Sequence, residues 1–111
     1  MKNNFRMPLR IVFYRDGQDW VAHCLEFDLM GDGATQPEAL DQLSEAIALQ
    51  IESTLEAGNP RNLFKPADGR FFAMFAAGRN VASAELHLEA DYVTIDETET
   101  RQYDDSDLAC V

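Results

Sequence analysis

The sequence predicts an α+β domain: a small antiparallel sheet in β-β-β-α order packed on one long helix, followed by a second helix and a C-terminal strand. Three observations carry that prediction. A strongly periodic segment opens after Thr35 and closes at Gly58; two alternating runs precede it, joined by Asp16-Gly17-Gln18-Asp19; and 111 residues, 46% of them apolar, suit one domain with a modest core. No run of about 18 apolar residues occurs, and MKNNFRMPLRIVFYRD lacks the apolar stretch of a signal peptide, so no membrane partner and a cytoplasmic location are expected.

Residues 1–8 read as a loose polar lead-in closed by Pro8. Leu9 to Tyr14 is rich in β-branched and aromatic residues and reads as a strand, with Ile11 and Phe13 on one face and Arg10, Val12 and Tyr14 on the other, so both faces should be partly covered. In the second strand Trp20, Ala22 and Cys24 share one face and Val21, His23 and Leu25 the other. The small residues at 22 and 24 admit a closely packed helix. Phe27-Asp28-Leu29 is an irregular passage, and Met30 to Ala34, with Gly31 and Gly33, is either a short third strand or a bulged edge.

The long helix starts at a capping box, Thr35 with Glu38, and Pro37 sits in its first turn. Leu40, Leu43, Ile47, Ile51 and Leu55 recur near a 3.6-residue period, with Asp41, Glu45 and Glu52 turned away. Gly58-Asn59-Pro60 stops it, which bounds a core of residues 9–58 within a single domain, 1–111. In the extension, 61–96, Leu63 and Phe64 can dock on that core. Asp68 caps a second helix carrying Phe71, Phe72 and Phe75, which Gly78 ends. Ala84, Leu86, Leu88 and Ala90 alternate with Glu85, His87 and Glu89 as a half-exposed strand, and Tyr92 to Ile95 extends it or starts another. The acidic tail, 97–111, is too poor in apolar residues to fold without a partner.

The formal net charge is −11, and Asp16 to Pro60 contains ten Asp or Glu with neither Lys nor Arg. Such a strip repels nucleic acid and attracts a basic protein. The chain has no GxSxG elbow, phosphate-binding glycine loop or HExxH, and Cys24 and Cys110 have no metal-ligand spacing. His23 and Cys24 are adjacent and face opposite sides of a strand, which makes them a poor base–nucleophile pair; His23 reads as a strand residue with a local hydrogen bond. Glu26, Asp28 and Asp32 cluster around a bend without the ladder of a calcium loop. No enzyme, metal or cofactor is therefore expected.

The first strand RIVFYRDG, the second WVAHCLEFDL, the link MGDGAT and the helix opening TQPEALDQLSEAI resemble, in order and spacing, the N-terminal domain of HicB-like antitoxins over about Leu9 to Ala57. Leu29-Met30-Gly31 replaces the family's usual proline and glycine of the link. The resemblance implies a truncated ribonuclease H-like arrangement without the nuclease acids. It also implies an antitoxin function, neutralisation of a small basic HicA-type RNA-cleaving toxin by occlusion; the alternative is an orphan scaffold that self-associates or binds another protein. Many members carry a DNA-binding module, which is not recognisable after Gly58, so direct nucleic-acid binding is not expected. Glu26, Phe27, Asp28, Leu29 and Asp32 are the expected partner-binding residues: the acids to steer association, Phe27 and Leu29 to prolong it. The apolar groups on both faces of the first strand imply a homo-oligomer, most simply a two-fold dimer.

Overall fold

A computed structural model describes residues 5–58, 63–81, 88–89 and 93–104. β1 (Phe5–Asp16), β2 (Asp19–Cys24) and β3 (Leu29–Gly33) form an antiparallel meander, followed by α1 (Gln36–Glu56) and α2 (Gly69–Ala77). Three further strands follow among the described residues: β4 (Arg79–Asn80), β5 (Leu88–Glu89) and β6 (Val93–Gln102). The sheet runs β3-β2-β1-β6-β4, with β5 also paired to β6. It is mixed and not the expected antiparallel sheet, because β6 lies parallel to β1 while every other pairing is antiparallel. A parallel neighbour needs a crossover, and the two helices lie in the chain between β1 and β6.

The turn chemistry of residues 16–19 closes the first hairpin through the two residues Gly17-Gln18, with Gly17 at φ +64°. The resulting register puts Ile11 opposite Cys24 and Phe13 opposite Ala22. These four residues form, with Leu9, the floor on which Ala39, Leu40, Leu43, Ile47 and Ile51 of α1 pack. The close approach fixes Gly31. A Cβ built there falls 2.2 Å from Leu43 N and 2.4 Å from Ala39 O, so only glycine lets β3 lie under the helix. The passage 30–34 is thus a regular strand, one residue earlier than its sequence bounds.

Thr35 Oγ1 accepts a hydrogen bond from Glu38 N at 3.2 Å, and Glu38 Oε2 accepts one from Ala34 N at 3.0 Å, closing the predicted cap reciprocally. Gly58, at φ +68°, ends α1 in the left-handed conformation. One position of the apolar stripe differs. Leu55 is 45% exposed and Thr54 takes the buried place, its hydroxyl donating to Ile51 O at 2.9 Å.

Leu63 is buried with the α1-side core and Ala67 with the opposite one, so the segment between them passes around the sheet from one layer to the other. Two backbone bonds tie it to the end of β2, Lys65 N to Glu26 O and Ala67 N to Leu25 O. α2, capped by the Asp68 carboxylate, then covers Val12, Leu25 and Tyr103 with Phe75, flanked by Phe71, Phe72 and Met74. Both faces of β1 are therefore covered from within the chain, which removes the packing reason for a dimer.

Two other boundaries are corrected. The lead-in is strand from Phe5, with a register shift between Arg6 and Pro8, where proline lacks the N–H a regular ladder needs. The expected unstructured tail is instead the second half of β6 as far as Gln102, between β1 and β4, and Tyr103 N continues the contact by donating to Phe13 O. Of the strand expected over 84–90, Leu88–Glu89 is seen; the remainder, like Asn59-Pro60 and residues 105–111, lies outside the described residues.

Candidate functional site

The sheet face opposite α1 carries Tyr14 on β1, Val21 and His23 on β2, and Met30 and Asp32 on β3. The hairpin register pairs Tyr14 with Val21 and Val12 with His23, so Tyr14 and His23 are diagonal neighbours on one face. His23 is fully buried, and both ring nitrogens have partners. Nε2 lies 2.8 Å from Asp28 Oδ1, and Nδ1 lies 3.1 Å from the Tyr14 hydroxyl. Asp28 can only accept as a carboxylate, so the neutral imidazole carries its proton on Nε2 and offers Nδ1 to the Tyr14 O–H. Phe71 of α2 closes over the ring at 4.3 Å between centroids.

Asp28 adopts φ +52°, the left-handed region that aspartate tolerates better than most residues, and its bond to His23 holds it there. Its side chain is 37% exposed, so the chain of three groups runs from a solvent-touching carboxylate through a buried ring to a half-buried phenol. That phenol also approaches Met30 Sδ at 3.6 Å. Having one proton, it donates to either acceptor. Burial, and after it the nearby Asp16, push the Tyr14 pKa above its ordinary value, against a smaller opposing effect of Arg70. Tyr14 further lines, with Arg15, Met74, Tyr103 and Asp104, a cleft of about 220 Å³.

The expected partner-binding residues separate. Glu26 is tied down, its carboxylate accepting from Arg10 N and Arg10 Nε, both at 2.8 Å, while the Arg10 guanidinium lies over Phe72. Phe27 is 3% exposed and belongs to the core, and Leu29 packs against the same core. Asp28 serves His23. Asp32 is exposed beside Met30, which is 53% exposed on the same edge strand. The bend is thus held by its acids as much as it displays them.

Two features escaped the sequence reading. The Tyr14–His23–Asp28 chain follows from the two-residue turn, which sets Tyr14 and His23 diagonally; the sequence held that signal. The other is the outer face of α1 as a contact surface: the sequence turned Asp41, Glu45 and Glu52 outward but named none of them for partner binding, and Glu38, Asp41, Glu45, Glu52 and Glu56 are exposed along about 27 Å of helix, with Leu49 67% exposed among them. Cys24 lies in the core, and burial pushes its thiol up to about 12, so it is no nucleophile near neutrality.

Among the described residues no three His, Cys, Asp or Glu side chains converge as a metal site, and no helix is long and apolar enough to cross a membrane. No family model, curated protein or solved structure matched the chain.

Proposed function

We propose that the chain is a protein-binding module of the HicB-like antitoxin kind, which occludes a small basic RNA-directed protein and performs no chemistry in doing so. The observation that carries this reading is the distribution of charge: α1 and the β3 edge present exposed carboxylates without a lysine or arginine from Asp16 to Gly58. Carboxylates at i, i+3 and i+4 along α1 repel one another and slightly destabilise the isolated helix, whereas a cationic partner relieves that repulsion. The β-β-β-α order of the first 56 residues further supports the resemblance on which the partner's identity rests. The contact surface is narrower than the whole bend. Asp32 and Met30, exposed on the β3 edge on the sheet face away from α1, and the α1 crest are the accessible parts, which a partner spans around that edge; Glu26 and Phe27 shape the bend from within.

The test is co-expression with a short basic protein encoded by an adjacent reading frame. Recovery of a complex and relief of that protein's toxicity support the reading. Reversing Asp32 alone to lysine should weaken the complex by about 1 kcal/mol, and reversing Glu45 and Glu52 with it should weaken it further and flatten its salt dependence. A complex that tolerates all three reversals overturns the assignment of the surface.

A further inference from the structure

A carboxylate, an imidazole and a hydroxyl in hydrogen-bonded sequence is the arrangement that activates oxygen nucleophiles: the carboxylate fixes the imidazole tautomer and stabilises the imidazolium, and the imidazole takes the hydroxyl proton. Here Asp28 Oδ1, His23 Nε2 and Nδ1 and the Tyr14 hydroxyl stand in that sequence at 2.8 and 3.1 Å. We propose that Tyr14 is a nucleophilic modification site, acylated on its phenolic oxygen by activated esters with His23 as the base and Asp28 as the residue that positions it. The inference is independent of the binding function above and concerns a group that function does not use.

The geometry favours the phenol over the other nucleophiles nearby. His23 is fully buried and held on both nitrogens, so it reaches an electrophile only through Tyr14. Cys24 is buried on the opposite face with its thiol held protonated. Tyr14 is half-buried and lines a cleft with Arg15, Met74, Tyr103 and Asp104, so part of its side chain is accessible. Its raised pKa makes free phenolate scarce, so reaction depends on proton removal during attack and not on ionisation beforehand. In the step, the Tyr14 oxygen bonds to the acyl carbon and the ester C–O bond breaks. The leaving group departs with the bonding electron pair, the phenolic proton passes to His23 Nδ1, and the imidazolium sheds its Nε2 proton to solvent by way of the Asp28 carboxylate. No oxidant or reductant is involved.

p-Nitrophenyl acetate at neutral pH serves as the probe with the full-length protein, read by p-nitrophenolate release and by peptide mass mapping of the acetyl group. Tyr14 should be acetylated on the order of a hundredfold faster than N-acetyltyrosinamide and faster than Tyr103. Asp28→Asn retains a side chain suited to the left-handed backbone but lets the imidazole take the wrong tautomer, and should slow acetylation of Tyr14 by at least about tenfold. Asp19→Asn removes an exposed carboxylate at the start of β2, outside the relay and outside the partner surface, and should leave the rate unchanged, which separates the relay from general surface charge. Acetylation of Tyr14 no faster than that of Tyr103 or the free amide overturns the proposal, whether or not Asp28→Asn folds. So does equal slowing by Asp28→Asn and Asp19→Asn.

Discussion

At the scale of single residues, small side chains decide where large ones can go. Gly31 is the sharpest case, since the added methyl of Gly31→Ala meets the α1 backbone and not a side chain that can swing away. Its cost should be on the order of 3 kcal/mol, read as a lowered urea midpoint with an unchanged slope. Cys24 makes a second prediction. Burial pushes its pKa up to about 12 from the thiol's ordinary 9.0, so the folded state favours the protonated thiol. The stability this brings is complete below the unfolded pKa and is lost as pH rises from about 9 towards 12, a loss on the order of a few kcal/mol to which the raised Tyr14 phenol adds in the same direction. Alkaline unfolding should therefore move to higher pH in Cys24→Ala, relative to that variant's own stability at pH 7. The sequence named the faces of Cys24 and Tyr14 correctly, because strand alternation is local, but assigned none to Gly31. It missed the Tyr14–His23–Asp28 chain, because a diagonal pair appears only once a turn length has fixed the register.

Between elements, legibility follows the range of the forces. α1 announces itself through a cap, a period and a stop that all lie within its own residues, and Thr35→Ala should cost about 1 kcal/mol through the lost bond to Glu38 N. β6 does not announce itself. Its TETRQ half is polar, and it is held by parallel pairing to residues some ninety positions earlier and by such contacts as the Thr100 hydroxyl on Val81 O. Composition says disorder where topology supplies the partner. α2 falls between the two: its cap and aromatic spacing were readable, but the face it covers was not. Nine residues are too few for an independent helix, so α2 depends on the burial of Phe75. Phe75→Ala should cost about 3 kcal/mol and raise amide exchange in α2 well before it does so in α1.

Over the whole molecule, charge is segregated by element. Arg10, Arg15, Lys65, Arg70, Arg79 and Arg101 lie on β1, α2, β4, β6 and the segment leading to α2, several stacked on Phe71, Phe72, Phe75 or Trp20. α1 and β3 carry acids alone. α1 and the β3 edge thus offer carboxylates to a cationic surface, while Arg10, Arg15, Arg70 and Arg101 are held against aromatic rings. With both faces of β1 covered internally, the interaction surface is an exposed charged one, and its partner should associate fast and be sensitive to salt. The direct test is calorimetric titration of the full-length chain with the basic protein of the adjacent reading frame at two ionic strengths. The account predicts a defined complex whose affinity falls on the order of tenfold between roughly 0.05 and 0.3 M salt. No complex, or one whose affinity ignores salt, contradicts it.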